Sequence, residues 1–149
     1  INKKFIKKLI NILLFITLTY NSIWITTNHP YQNNYFNIFI NKYAKNNFDL
    51  DYWGLANFQS IKNILKNDNK VKINISTISF ADLNTSLLKL NADDRKRVNI
   101  VYNYEKADYL INSYTKRIGK NYSINSDKFI KFNEILVNKR SINTIFKKK

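Results

Sequence analysis

The 149-residue chain has room for one ordinary domain or for a small domain plus a membrane segment, and its ten Tyr and ten Phe supply a packed core that excludes wholesale disorder. No Cys occurs, which excludes disulfides, thiolate metal sites and a Cys nucleophile; glycine only at 54 and 119 excludes phosphate-cradling loops and nucleophile elbows, and one His cannot build a zinc site. The formal charge of +15 asks for nucleic acid or an anionic membrane as partner, but the Lys are scattered and accompany an excess of Asn, Ile, Tyr and Phe, so biased coding and a solvated surface account for them better than a nucleic-acid footprint.

The chain starts at Ile1 and contains no Met, so it reads as a piece of a longer protein cut on its N-terminal side. Lys3, Lys4, Lys7 and Lys8 precede an uncharged run, Leu9 to Ile25, diluted by Asn11, Thr17, Thr19, Asn21 and Ser22. With its neighbours this run reaches the ~20 residues that cross a bilayer core. Tyr20 and Trp24 fall toward its end, where amphipathic rings favour the headgroup zone. A signal peptide would need small residues at a cleavage site, which Ser-Ile-Trp-Ile-Thr-Thr does not offer, and a soluble core helix would not need so long an uncharged run. Residues 1–28 are therefore expected to be a transmembrane helix whose basic flank stays cytoplasmic, with everything after Thr27 outside.

Pro30 should stop that helix. Tyr31, Tyr35, Phe36, Phe39, Ile40 and Tyr43 then recur at helical spacing, which predicts an amphipathic interfacial helix; with the Asp-Leu-Asp-Tyr-Trp-Gly linker it makes a second region, 29–54. Region 55–149 alternates. Leu55, Phe58, Ile61, Ile64 and Leu65 predict a helix with Asn57 as cap, Val71 to Ser76 a strand, and Leu83, Leu87 and Leu88 a helix after Asp82. Val98 to Tyr102 and Tyr109 to Tyr114 predict two further strands, 116–128 a polar loop, and Phe132 to Val137 with Ser141 to Phe146 a hairpin. The expected fold class is α/β: one N-terminal transmembrane helix, then a small extracytoplasmic domain with a mainly parallel sheet and a C-terminal β-hairpin.

His29-Pro30-Tyr31-Gln32 and Phe48-Asp49-Leu50-Asp51-Tyr52-Trp53-Gly54 gather the only His, the only Pro, one of two Trp and one of two Gly. His29 at a membrane boundary reads as an interfacial polar residue more readily than as a base. If 49–51 is extended, Asp49 and Asp51 point to one face and become the candidates for holding a cation such as Mg²⁺; the bland alternative is a pair of exposed acids, or one of them bonding the backbone at the next helix start. Asp93-Asp94-Arg95-Lys96-Arg97 reads as a solvated helix end, and Lys-Phe-Ile-Lys-Phe at 128–132 is the nearest approach to a single-strand stacking platform.

His29-Pro30-Tyr31-Gln32, then Tyr35-Phe36-Asn37, then Asp49-Leu50-Asp51-Tyr52-Trp53-Gly54-Leu55 resembles the run that follows the last span in bacterial multi-spanning glycosyltransferases, those similar to dolichyl-phosphate-mannose mannosyltransferases and aminoarabinose transferases. Glu105-Lys106-Ala107-Asp108-Tyr109-Leu110-Ile111-Asn112-Ser113-Tyr114 resembles a later strand of the same family. The chain departs from that pattern in lacking Gly between residues 38 and 47 and in carrying Asp49 where Glu is commoner. The resemblance implies a parent enzyme of the inner membrane that moves a sugar from a polyprenyl-phosphate carrier to an acceptor. It places the catalytic carboxylate in an N-terminal loop outside these residues. His29, Tyr31, Gln32, Asp49, Asp51, Tyr52 and Trp53 are then candidates for facing substrate or bracing the chamber; no catalytic residue, cofactor or nucleic-acid partner is expected within the chain itself, and any Mg²⁺ would belong to the parent. The other readings are a self-contained, membrane-anchored binding or assembly module and a basic nucleic-acid-binding domain.

Overall fold

The computed structural model describes residues 3–37, 39–114 and 124–149, which divide into two compact units, Ile1–Tyr35 and Phe36–Lys149. The first unit is dominated by helix α1, Lys3–Thr27, in which no residue is buried. At 25 residues it is roughly 37 Å long, enough for a bilayer core of ~30 Å. Its polar dilution does not interrupt it: the hydroxyls of Thr17, Thr26 and Thr27 donate to the carbonyls of Leu13, Ser22 and Ile23, at 2.8–2.9 Å. A threonine satisfied this way is tolerated in an apolar helix. After the helix, a cis His29–Pro30 peptide and a 3₁₀ turn at Gln32–Asn34 fold the chain back. The Tyr35 ring thereby meets Trp24 edge-on at 5.2 Å and Tyr20 at 6.4 Å. Helix α1 thus ends ahead of Pro30, as the proline predicts.

The interfacial helix expected from Tyr31 to Tyr43 does not form as one element. Single 3₁₀ turns at Gln32–Asn34 and Asn41–Tyr43 and the one-turn helix α2, Ala44–Asn47, take its place. The physical reason is asparagine: the Asn37 side chain accepts from the N–H groups of Phe39 and Ile40, both at 3.1 Å, offering the backbone a turn in competition with the helical ladder.

The second unit is the small α/β domain. Helix α3, Leu55–Asn67, leads to β1, Ile73–Thr77; short helices α4, Asn84–Leu88, and α5, Ala92–Arg97, lead to β2, Val98–Ile100. Strand β3, Tyr109–Asn112, and the hairpin β4, Phe129–Val137, and β5, Arg140–Lys148, complete a sheet of order β2-β1-β3-β5-β4. Pairings of β1 with β2 and β3 are parallel; those of β5 with β3 and β4 are antiparallel, so the sheet is parallel on one side and mixed as a whole. The hairpin turns at Asn138 and Lys139, both with positive φ (48° and 61°), which matches the right-handed strand twist. Two irregularities in register, between Lys131 and Asn133 and between Ile135 and Leu136, bend β4 against β5. The expected 116–128 loop falls largely outside the described residues.

Periodicity explains the core. Ile61, Ile64 and Leu65 of α3 pack on Ile73 and Ile75 of β1, Val98 of β2, Tyr109 and Ile111 of β3 and Ile145 of β5. Leu110, facing the other way from β3, joins Ala107 and Phe129, with Phe146 against them. Strand β3 is therefore covered on both faces, as a central strand should be. Phe129 is buried and Phe132 meets Tyr109 edge-on at 5.4 Å, so these two aromatics of the 128–132 segment are used in packing. The run at 93–97 is the solvated helix end expected of it, with no residue of α5 buried, yet its two arginines also close neighbouring backbone. Arg97 donates to the carbonyls of Leu65, Asp68 and Lys70 at the end of α3, where a cation suits the helix dipole, and Arg95 donates to those of Leu87, Leu88 and Leu90.

One polar link crosses this core. The Tyr109 hydroxyl donates to Asp68 at 3.0 Å, and Lys70 pairs with Asp108 at 2.8 Å on the same side. Burial pushes the Tyr109 hydroxyl pKa up, and Asp68 adds to the shift. For Asp68, burial raises the pKa but is outweighed by the Lys70 N–H, the Tyr109 hydroxyl and the charges of Lys70 and Lys147, so the net direction is down. A carboxylate with a lowered folded-state pKa contributes stability above its ordinary value and loses it as pH falls through the folded one. Tyr109→Phe should therefore cost about 1 kcal/mol at neutral pH, and the cost should shrink toward pH 3, as read by urea unfolding at both pH values.

Candidate functional site

The seven candidate residues divide between the two units. In the first, Gln32 Nε2 lies 2.7 Å from His29 Nδ1. His29 is exposed, and Tyr31 is half-buried with its N–H donating to the Asn28 carbonyl at 2.6 Å. The remaining four stand in the turn before α3 in the second unit.

Asp49 and Asp51 do not share a surface. Asp49 is exposed; Leu50 and Asp51 are buried. Both Asp51 oxygens are committed to the start of α3: Oδ1 accepts from the Leu55 N–H at 2.8 Å and Oδ2 from the Ala56 N–H at 3.0 Å. Burial raises the Asp51 pKa, while those two N–H groups and the Asn143 side chain work in the opposite direction. Asp51, and not Asn57, satisfies the orphan N–H groups of the helix. Among the described residues no group of three His, Asp or Glu side chains could hold a metal ion. Asn57 has moved into the core instead, where its Oδ1 accepts from Asn143 Nδ2 at 3.0 Å; Ser60 donates to Asn143 Oδ1, also at 3.0 Å. A buried amide network thus ties α3 to β5.

Gly54 follows in the left-handed conformation, φ +65°, its N–H on the Asp51 carbonyl at 3.0 Å. A Cβ there would lie 2.6 Å from both Ala81 Cβ and Asn57 Nδ2. Glycine is therefore required twice, by backbone conformation and by the approach of the loop after β1. That close approach brings Phe80 beside the turn. Tyr52 meets Trp53 edge-on at 4.9 Å and Phe80 at 6.1 Å, and Trp53 is 77% and Phe80 57% exposed.

The position of this cluster in the sheet is informative. From β1 the chain steps to β2 on one side, then crosses to β3 on the other, so β1 and β3 flank a topological switch point. Crevices at the carboxyl ends of such strands are where open α/β sheets hold ligands. The Ser113 N–H, just past β3, donates to Ser79 Oγ at 2.8 Å, and Thr77 Oγ1 donates to the Ile111 carbonyl at 3.0 Å. Phe80, Asn143 and Ala81 carry no motif; only folding brings them to the Asp-Tyr-Trp-Gly turn, from the next loop and the last strand. Neither a protein family, nor a curated protein, nor a solved structure matches this chain.

Asp51→Ala should destabilise the domain by about 1–3 kcal/mol, because it leaves two buried N–H groups without an acceptor. Asp51→Asn, which keeps one acceptor, should cost more at pH 4 than at pH 7. The raised folded-state pKa makes the ionised carboxylate a burden that grows as pH rises from the ordinary carboxylate range through the folded value. Urea unfolding at the two pH values measures both. Gly54→Ala should cost about 1–3 kcal/mol from its left-handed backbone, and the Ala81 approach adds to it.

Proposed function

We propose that this chain is the C-terminal part of an integral-membrane glycosyltransferase that passes a sugar from a polyprenyl-phosphate carrier to an acceptor. Support comes from the residues of the His-Pro-Tyr-Gln and Asp-Leu-Asp-Tyr-Trp-Gly segments and from a membrane-length helix running into a small α/β domain. The observation that carries the reading furthest is the split within one turn: Asp51 and Gly54 are spent on structure, while Trp53 stands exposed with Phe80 and Tyr52 lies half-buried between them.

In this reading Asp51 is a bracing residue and the catalytic carboxylate lies in another part of the protein. Tyr52 and Trp53 face the acceptor, their ring faces offering apolar area with a negative potential to the C–H side of a sugar. His29, Tyr31, Gln32 and Asp49 belong to the membrane-boundary segments that frame the chamber. The basic flank at Lys3, Lys4, Lys7 and Lys8 keeps the start of α1 cytoplasmic, so the domain faces outward from the inner membrane. Donor binding, and any Mg²⁺, belong to the parent enzyme.

The test is transfer by the full-length gene product. Its reading frame upstream of Ile1 should encode further spans, and the purified protein should move sugar from a polyprenyl-phosphate donor to a lipid or glycan acceptor. Trp53→Ala should lower kcat/KM about tenfold with thermal unfolding unchanged, the loss of one stacking contact of about 1.4 kcal/mol. A reading frame without further spans, together with no transfer, would leave a membrane-anchored binding module and overturn the enzyme reading.

A further inference from the structure

The lysine end of α1 is more ordered than a charged flank needs to be. Lys4, Lys7, Lys8, Asn11, Ile12 and Phe15 line one open groove of about 460 Å³ on the helix surface. Steps of three and four residues, 4-8-12 and 4-7-11-15, put all six on a single helical face. Lys3 is not part of it. The groove changes character along its length. Ammonium groups and an amide give way, over roughly 10 Å of helix from Lys8 to Phe15, to purely apolar side chains. It is also accessible, since Ile12 is exposed and Phe15 is 71% exposed.

Helix stability does not explain these lysines. The first turn of α1 holds no acid, and cations there oppose the helix dipole. No Asp or Glu occurs before Asp49, so the unit Ile1–Tyr35 contains no carboxylate side chain to balance them. A topogenic flank accounts for basic residues at this end of the helix, but not for their gathering with Asn11 above an apolar floor. Lysine stems lie along apolar surface while their charged heads seek polar surroundings, so the groove presents its charge at one end and its oil at the other.

We propose that this face of α1 binds an anionic phospholipid. Lys4, Lys7, Lys8 and Asn11 hold its headgroup, and Ile12 and Phe15 lie along the start of an acyl chain. Two observations select this occupant: the charge complements an anionic headgroup, and the polar-to-apolar order along the groove is that of a lipid entering a bilayer beside a membrane-length helix. A second copy of the helix, inserted the same way, would instead set lysines against lysines. The inference needs only that α1 lies in a bilayer, and it stands or falls apart from the transferase reading.

The experiment places the full ¹⁵N-labelled chain in phosphatidylcholine discs doped with a trace of spin-labelled lipid, either phosphatidylglycerol or phosphatidylcholine, each labelled near the top of one acyl chain. Broadening of the α1 backbone amides is compared between the two labels at equal dose and ionic strength. The phosphatidylglycerol label should broaden the amides of Asn11, Ile12 and Phe15 about fivefold more than the phosphatidylcholine label, the preference that one lysine confers near an anionic surface. Amides of Ile23 to Thr27, at the other end of the same helix, should show no preference. Lys4→Gln combined with Lys8→Gln should abolish the difference, and Lys3→Gln should leave it in place; amides of Phe36–Lys149 report that each variant is folded. Equal broadening by the two lipids, as when another helix covers the face, overturns the proposal. So does a loss with Lys3→Gln as large as with the paired substitution, which is the mark of bare surface charge.

Discussion

The architecture of the second unit turns on one buried carboxylate. Asp51 faces the N-terminus of α3, accepts two of its N–H groups and is met from the other side by Asn143 of β5. A helix start exposes N–H groups that need acceptors, and a buried acid needs donors, so each removes a cost the other would incur. The result fixes where α3 begins, and α3 supplies the Ile61, Ile64 and Leu65 side of the core. Because Asn143 also holds Asn57 and Ser60, the last strand is locked to the first helix of the domain across more than eighty residues of sequence. Weakening this link would loosen the packing of α3 on the interior strand β5 and the turn together.

The same link explains why Trp53 stands outward and Tyr52 is only half-buried. Their neighbours Asp51 and Gly54 are pinned, one by hydrogen bonds and the other by a left-handed backbone pressed against Ala81. Two residues between two fixed points have little freedom to turn inward. A cluster of exposed aromatics on a rigid turn costs less entropy to engage than one on a mobile loop. Its place near the carboxyl end of β1, where the strand order reverses, follows from topology and not from any property of the aromatics themselves.

Much of the fold was legible because its signals are periodic. Val71 to Ser76, Val98 to Tyr102 and the closing hairpin alternate as half-buried strands do, and the Leu55 to Leu65 stripe could hardly be anything but a helix. Two of the failures involve asparagine. Spacing alone promoted Tyr31 to Tyr43 to a helix, yet Asn37 bonds its own backbone and breaks it. Asn57 looked like a cap by composition and is instead a core amide, because Asp51, further back, reached the helix first. The Asp49 and Asp51 pairing presumed an extended strand that the turn does not provide. Arg140 and Phe80 had no sequence signal at all: what distinguishes them is what surrounds them after folding.

Biased composition then decides which residues remain for function. With an excess of Lys and Asn, the domain uses amides inside and outside alike: Asn143 bonds Asn57 in the core, while Asn99 on Asn74 at 2.7 Å and Asn91, capping α5 through the Asp94 N–H at 2.7 Å, are exposed. It closes helix ends with guanidinium groups, as Arg97 does for α3. The core network is not fully satisfied, since Asn57 Nδ2 is buried without a hydrogen-bond partner among the described residues, and a half-satisfied buried network costs stability. Trp53 exposes a large apolar surface that the fold does not need, and Arg140 buries a charge that the fold does not neutralise. One lacks a cover and the other lacks a counter-charge, and neither deficit is made good by the surrounding side chains.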